Sequence, residues 1–284
     1  MIEGRPSTTA FHVAAARAAH LRFDSAPYVL EDVHAERLLD EEGLAQIDTF
    51  ANDGPWILLE NRLFLVLRAR HAEERLAAAY ARGVRQYVIL GAGLDSFAWR
   101  QPEGFEDLQV FEVDHPSTQR WKADRLATLG WPVPENTQLV ECDFEKQTAS
   151  EALHATRFDP SQPAVVSWMG VIYYLERETA DLALRDLSGL LAPGSELIFD
   201  SMFPWEVLPP RYHEIREAMG QFLKGAGEPH INRYDREDII AATVAAGFSR
   251  AALAETKDLA DAYAPTTDSE RPLSERFTLV VAER

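Results

Sequence analysis

The stretch from Tyr87 to Arg100 constrains the fold more than any other part of the chain. The run Tyr87-Val88-Ile89-Leu90 leads directly into Gly91-Ala92-Gly93, and Asp95 and a helix-compatible segment follow. This order predicts a buried strand, a tight turn and a helix start, the geometry in which nucleotide-like ligands meet a sheet edge. Gly91 and Gly93 let the backbone turn sharply and approach a ligand without an intervening Cβ. A Gly-x-Gly pair also occurs in ordinary turns, so this stretch alone does not establish a ligand-binding loop.

Further strands and helices alternate along the chain after this stretch. The predicted strands cover residues 109–114, 138–143, 164–170 and 196–202, with helices predicted at 116–129 and 176–191. Two late strands, 248–255 and 277–282, flank a polar loop. Strict alternation of this kind predicts an α/β fold with a doubly wound sheet. We expect seven strands, mostly parallel, with one antiparallel strand near the C-terminus.

Two segments fall outside this alternation, and we expect a single domain over residues 1–284 that includes both. Residues 1–60 predict an N-terminal helical cap, rich in alanine at its start. Residues 203–234 are interrupted by prolines and glycines and predict an insertion with one helix, near 212–224. Long irregular insertions at strand ends are commonly functional, so we interpret residues 203–234 as a lid.

Charge and cysteine content limit the partners and the compartment. The chain has 28 Lys and Arg residues against 46 Asp and Glu residues, a net charge of −18, which makes it a poor candidate for binding nucleic acid or an anionic membrane. Cys142 is the only cysteine, which excludes an internal disulfide and a cysteine-based zinc site. No apolar run approaches the roughly 18 residues of a membrane span, and the N-terminus lacks a signal-peptide pattern. We expect a cytoplasmic protein without a metal.

Acidic residues end the second and third predicted strands. Asp114 lies 21 residues after Gly93, the spacing at which a carboxylate reaches the ribose of a ligand bound over the first turn. Asp143-Phe144 ends the next strand and offers an acceptor for an exocyclic amine and a flat apolar side chain. Together with Gly91, Gly93 and Asp95, these residues describe an adenosine site. A nicotinamide dinucleotide is disfavoured because Ser96 stands where a third glycine would be expected.

Several motifs resemble those of the leucine carboxyl methyltransferase family, in particular its bacterial S-adenosylmethionine-dependent O-methyltransferases. The resemblance covers most of the chain and is most specific at the glycine run and at Phe-Glu-Val-Asp. The similar segments are residues 5–7, 16–20, 70–73, 88–95, 111–116, 170–175 and 192–195.

This resemblance implies a class I, Rossmann-like methyltransferase fold with S-adenosylmethionine as the methyl donor. It implies that Arg70, with Arg17 from the cap, binds the methionyl carboxylate, and that Gly91 lines the methionine tail. Asp114 would bind the ribose, and Asp143 with Phe144 the adenine. Many relatives carry Glu before the glycine that follows the fourth strand, where this chain has Met169. A contact to the methionyl amino group there would therefore come from backbone carbonyls or from another residue.

The methyl acceptor is the least determined part of the prediction. Tyr173, Tyr174, His213 and His230 are the polar candidates for catalysis near the expected pocket mouth. A carboxylate acceptor needs no general base, whereas a phenol or alcohol would benefit from one. We expect methyl transfer to a hydroxyl or carboxyl oxygen of a small molecule. The alternatives are a protein or peptide C-terminal carboxylate, or binding of S-adenosylmethionine without catalysis.

Overall fold

Seven strands form one twisted sheet in the computed structural model, which describes residues 7–225, 227–264 and 273–284. The strands run in the order β3-β2-β1-β4-β5-β7-β6. Strands β1 to β5 pair in parallel, and β7 runs antiparallel to both β5 and β6. The bounds are β1 Gln86–Leu90, β2 Gln109–Asp114, β3 Thr137–Glu141, β4 Val165–Trp168, β5 Glu196–Met202, β6 Arg250–Glu255 and β7 Phe277–Glu283. The predicted seven-stranded sheet with one antiparallel strand is confirmed.

Strand β1 lies at the centre because it is apolar on both faces. All five of its residues are buried, and β2 and β4 pair with its two edges. The order of chain connections reverses beside β1, since the chain winds outward to β2 and β3 on one side and to β4 and β5 on the other. Ligands of open α/β sheets bind at such a reversal, outside the carboxyl ends of the strands. The carboxyl ends of β1, β2, β3 and β4 are therefore the place to look for the site.

Helices cover the sheet and form the cap. They are α1 Thr8–Phe23, α2 Ala35–Leu38, α3 Glu41–Ile47, α4 Trp56–Ala81, α5 Pro116–Leu129, α6 Ala149–His154, α7 Arg177–Leu190, α8 Pro210–Gly225, α9 Arg236–Ala245 and α10 Thr256–Tyr263. Residues 1–6, which include the first predicted cap residues and part of the resemblance at 5–7, lie outside the described residues.

The polar loop predicted between the two late strands was wrong in its first part. Residues 256–263 form α10, which buries Leu259 and Ala260 and packs against α4. The short helix was obscured in the sequence by its many charged residues. Residues 265–272 of the predicted loop lie outside the described residues.

Helix α1 is covered on all sides in its second half, where every residue from 14 to 20 is buried. The small alanine side chains let α2, α3 and α4 approach the helix closely. This packing places the first turn of α1 over the glycine turn that follows β1.

The lid segment, residues 203–234, is docked against the body of the protein. Tyr212 of α8 is buried, and its hydroxyl donates to Glu60 of α4 over 2.7 Å. The backbone N–H groups of Ile231 and Asn232 donate to the carbonyl oxygen of Tyr173. The lid therefore covers the loop that follows β4.

No helix in the described part of the chain is long and apolar enough to cross a bilayer. Within the same residues, no group of three or more His, Cys, Asp and Glu side chains could hold a metal ion.

Candidate active site

The glycine turn after β1 has the conformation that its sequence predicts. Gly91 and Gly93 have φ values of 70° and 54°, in the left-handed region that favours glycine. A Cβ on Gly91 would lie 2.5 Å from Cγ2 of Val171, and one on Gly93 would lie 3.0 Å from Cβ of Ala10. The turn is thus enclosed between the loop after β4 and the first turn of α1, where a side chain would fill the space.

Asp114 ends β2 and faces the glycine turn. Its Oδ2 accepts a hydrogen bond from the Gly93 N–H at 2.6 Å, and its Oδ1 accepts one from the His115 N–H at 2.6 Å. Burial raises the pKa of Asp114, and these two N–H groups oppose that shift. An ionised carboxylate has about four lone-pair sites, so two remain for the vicinal hydroxyls of a ribose.

Asp143 and Phe144 lie two and three residues beyond the end of β3. Asp143 accepts hydrogen bonds from Nζ of Lys146 at 2.6 Å and from the Glu145 N–H at 3.1 Å. The Lys146 hydrogen bond holds the pKa of Asp143 below its usual value, so the group is ionised at neutral pH. Phe144 is half-buried against the main core. Both residues follow Cys142, whose N–H donates to the carbonyl oxygen of Asp114 at 2.8 Å, so they adjoin the Asp114 end of the sheet.

Asp95 stabilises the turn itself. Its Oδ1 accepts a hydrogen bond from the Phe97 N–H at 2.7 Å, and its carbonyl oxygen accepts one from Nζ of Lys122 at 2.7 Å. The Lys122 ammonium also forms a fully buried ion pair with Glu112 of β2. These contacts fix the exit of the turn against α5.

Arg68, rather than Arg70, is the arginine of α4 that reaches the strand ends. Its buried guanidinium forms an ion pair with Asp200 of β5. A Cβ on Gly170 would lie 3.4 Å from Nη2 of Arg68, and the Gly170 N–H donates to Oδ1 of Asp200 at 2.7 Å. Arg70 is 43% exposed and pairs with Glu74 one turn further along α4. Arg70 therefore lies in an exposed ion pair, whereas Arg68 lies beside Gly170 at the strand ends.

Arg17 is buried and is used within the protein. Its Nε donates to Asp32 at 2.7 Å, and its Nη2 donates to the carbonyl oxygen of Leu94 at 2.6 Å. Burial raises the pKa of Asp32, but the charges of Arg17 and Arg100 outweigh it and bring the value to about 2. In this structure Arg17 ties the cap to the glycine turn.

Three of the four candidate catalytic side chains meet beyond β4. The ring of His230 lies 4.7 Å from that of Tyr173 and 5.0 Å from that of Tyr174, and its Nε2 is 3.3 Å from the Tyr174 hydroxyl. A Cβ on Gly170 would lie 3.5 Å from the Tyr173 hydroxyl. His213 does not join them, because it is exposed on α8 with its Nε2 3.2 Å from the carbonyl oxygen of Leu208.

Burial controls the protonation of this aromatic group. It raises the pKa values of Tyr173 and Tyr174 above the usual tyrosine value. It lowers the pKa of His230 to about 3, with a further contribution from the charges of Arg233 and Arg276. At neutral pH the two phenols are protonated and the imidazole is neutral.

The sequence selected Arg70 rather than Arg68, and it assigned no role to Asp200 or to the two arginines near His230, Arg233 and Arg276. Asp200 ends no strand, since β5 continues to Met202, so it lacked the strand-end signal that marked Asp114. Arg233 and Arg276 are 43 residues apart in the chain, and only the fold brings them together.

The fold and these strand-end groups define an α/β protein of the class I methyltransferase type. The family model of the leucine carboxyl methyltransferases matches residues 10–188. The chain is 33% identical over 260 residues, 84% of its own length and 85% of the relative's, to YktD of Bacillus subtilis (strain 168), which carries the name of an S-adenosyl-L-methionine-dependent methyltransferase. It is 34% identical over 204 residues to a Mycolicibacterium smegmatis protein with the same description, covering 69% of this chain and 66% of that one.

Among solved structures, a methyltransferase from Thermobifida fusca YX has the same fold. The TM-score is 0.62 at 17% identity, over 100% of this chain and 96% of that one. The chain belongs to the leucine carboxyl methyltransferase family.

Proposed function

We propose that the protein is an S-adenosylmethionine-dependent O-methyltransferase that methylates a hydroxyl or carboxyl oxygen of a small molecule. The methyltransferase class and the cofactor follow from the family. The oxygen acceptor and its small size are the proposed parts. The observation that carries the proposal is the meeting of the glycine turn, Asp114 and the Arg68–Gly170 contact at the carboxyl ends of β1, β2 and β4.

The residues at these strand ends fit the parts of S-adenosylmethionine. Arg68 is proposed to bind the methionyl carboxylate beside Asp200, because a guanidinium has five donors and its pairing with Asp200 leaves some of them available. The carbonyl oxygen of Met169, 4.0 Å from the Cβ position of Gly91, faces the turn and can accept from the amino group. Asp114 is assigned to the ribose, and Asp143 with Phe144 to the adenine.

When bound, S-adenosylmethionine would supply an electrophilic methyl group, which would pass to the acceptor oxygen as the carbon–sulfur bond breaks and S-adenosylhomocysteine leaves. A carboxylate acceptor has no proton to lose when it is methylated, whereas an alcohol or phenol must lose its hydroxyl proton. The three aromatic side chains beyond β4 are poor bases at neutral pH, since the pKa of His230 is about 3 and both tyrosines are protonated. The carboxylate of Asp200 is held in its ion pair with Arg68. These protonation states favour an acceptor oxygen that is already ionised. The role of the chain is then to position the acceptor and to exclude water.

A small acceptor is supported by the docked lid. Residues 230–232 contact Tyr173, and Thr9 of α1 donates its N–H to Glu228 of the lid at 3.2 Å. A protein or peptide C-terminal carboxylate is the second candidate, and the family favours it. An acidic protein tail would have to approach a chain of net charge −18, which is unfavourable at long range. We also propose that the protein is cytoplasmic, because a chain with a single cysteine fits a reducing compartment.

Calorimetry with S-adenosylmethionine, S-adenosylhomocysteine and NAD tests the cofactor assignment. We expect both sulfur nucleotides to bind and NAD not to bind. Tight binding of NAD, or affinities that Asp114→Ala leaves unchanged, would contradict the site. Release of S-adenosylhomocysteine with a panel of organic acids, phenols and C-terminal peptides then identifies the acceptor class, and binding without release in any reaction would show a non-catalytic protein.

A further inference from the structure

A cavity of about 160 Å³ lies inside the lid segment, between α8 and the chain that returns to the sheet. We call it the lid cavity. Side chains that line it include Trp205, Arg216, Met219, Leu223, His230 and Arg233. Its volume is close to that of a cavity that accommodates benzene, so it can hold one small ring or a short acid rather than a whole nucleotide.

Three arginines lie at the lid cavity: Arg216 and Arg233 line it, and Arg276 lies behind it. The guanidinium carbons of Arg216 and Arg233 lie 5.5 and 4.3 Å from the ring centre of Trp205. Arg276 lies behind Met219, with its Nη1 3.5 Å from the sulfur, and is only 2% exposed. Within the described residues, none of the three forms an ion pair, and the buried Nε of Arg276 has no hydrogen-bond acceptor. Glu60, the acid that acts most strongly on Arg276, is paired with Arg211.

The electrostatics of this cluster favour an anion. Burial, followed by the charges of Arg276 and Arg216, lowers the pKa of Arg233 to about 10, and Glu206 opposes this only in part. Burial also lowers the pKa of Arg276. Gathered like charges are unusual in a chain with 46 acidic and 28 basic residues, where most arginines could be paired. An anion in the lid cavity would relieve the repulsion between these arginines.

The lid cavity adjoins the proposed methyl-transfer site through one residue. His230 lines the cavity, and its other face contacts the rings of Tyr173 and Tyr174. Its Nδ1 is buried and has no hydrogen-bond partner among the described residues. Tyr173 in turn lies beside Gly170 and Arg68. His230 and Tyr173 therefore connect the lid cavity to the loop that lies beside Gly170 and Arg68.

We propose that the lid cavity is an anion subsite for the acceptor and binds a carboxylate of a small organic acid through Arg216 and Arg233, with Arg276 behind them. The planar guanidinium group matches the geometry of a carboxylate. Arg216 and Arg233 both lie near the indole ring of Trp205, so both can donate hydrogen bonds to one carboxylate. This carboxylate anchors the acceptor and is not methylated, because oxygens that accept charge-assisted hydrogen bonds are weaker nucleophiles. The acceptor then carries a second oxygen group for the methyl. This inference rests on the proposed function.

Benzoate is a suitable probe for this subsite, with benzamide as its neutral counterpart and phenyl phosphate as a doubly charged one. Each is titrated calorimetrically into the full-length protein, with and without S-adenosylhomocysteine. We expect benzoate to bind and benzamide not to bind. Arg216→Gln and Arg233→Gln should each weaken benzoate at least about tenfold, the effect of losing a charge-assisted hydrogen bond, and Arg233→Lys should weaken it less.

Arg236→Gln is the matched control, because Arg236 also stacks on a lid aromatic, Phe203, but is already paired with Glu255. It should leave benzoate binding unchanged. Arg216 makes no hydrogen bond to the described residues, so Arg216→Gln tests the subsite even if Arg233→Gln fails to fold. Equal binding of benzamide, tighter binding of phenyl phosphate, or unchanged affinity in Arg216→Gln would each overturn the proposal. Benzoate binding is also measured without the nucleotide, so the two proposals are tested separately. Failure of S-adenosylhomocysteine to bind would contradict the proposed function and not the anion subsite.

Discussion

Arg68 of α4 and Asp200 of β5 form an ion pair in which both side chains are buried, 7% and 0% exposed. The second carboxylate oxygen of Asp200 accepts the Gly170 N–H at 2.7 Å. The pair therefore joins a helix, a central strand and the loop after β4 at the sheet edge where the cofactor is expected. An Arg that is held in place by a buried carboxylate is preorganised to bind a second carboxylate.

Replacement of Arg68 by Lys is expected to weaken S-adenosylmethionine about 10- to 100-fold. Lys keeps the charge that Asp200 needs but loses the fork that holds two carboxylates at once. Binding of 5′-methylthioadenosine, which lacks the methionyl carboxylate, should be unaffected, and calorimetry with both ligands measures the difference. Arg70→Lys is the control on the same helix and should change neither affinity. An equal loss for both ligands would show that Arg68 acts only through the fold.

Replacement of Asp114 by Asn should weaken the binding of both ligands, not of S-adenosylmethionine alone. Both ligands contain the ribose, so both should bind at least about tenfold more weakly when the charged acceptor is lost. The amide keeps the shape of the side chain, and one of its groups can still accept the Gly93 N–H. A loss confined to S-adenosylmethionine would contradict the assignment of Asp114 to the ribose.

The parts of the fold that the sequence predicted are those with local signals. Strands β1 and β2 are short apolar runs that end at a glycine turn and at an acid, and both features lie within a few residues. Helix α6 carried such a signal as well and was missed, a capping box in which Thr148 and Glu151 satisfy each other's backbone N–H. Local sequence signals were therefore enough to predict the positions of the glycine turn, Asp114 and the Asp143-Phe144 pair at the strand ends.

The choice between Arg68 and Arg70 could not be made locally. Residues two apart on a helix point about 200° apart, so the two arginines face nearly opposite sides. Periodicity fails to select a face here because every residue from 62 to 68 is buried, as the cap covers one side and the sheet the other. The lid cavity could not be predicted from local signals, because it forms between α8 and residues outside that helix, such as Trp205 and Arg233.

The free energy of unfolding should depend on pH through Glu60, which joins α4 to the lid. Burial raises the pKa of Glu60 from 4.5 to about 7, although Tyr212, Arg211 and Arg276 oppose the shift. The folded protein therefore binds more protons than the unfolded chain, so this contribution is fully present below pH 4.5 and is lost as the pH rises through about 7. Denaturant titrations across this window should show a fall in the free energy of unfolding of about 3 kcal/mol.

Glu60→Gln imitates the protonated group and should remove this part of the pH dependence. Glu74→Gln, on the exposed face of the same helix, should keep the wild-type slope. A Glu60→Gln protein with the full wild-type slope would show that another group is responsible.

The contact between Gly91 and Val171 predicts a mutational rescue. Gly91→Ala adds a Cβ 2.5 Å from Cγ2 of Val171 and also places alanine at a φ of 70°, and each effect destabilises. Val171→Ala removes the clash but not the strain, so the double variant should unfold with a smaller loss than the sum of the two single variants, by about 0.5–3 kcal/mol. Gly104→Ala isolates the strain, since Gly104 has a φ of 90° and no heavy atom within 4 Å of its Cβ position. Denaturant unfolding of the five proteins gives the coupling energy. Additive losses would mean that the loop after β4 moves away freely, and the glycine at position 91 would then be required by backbone conformation alone.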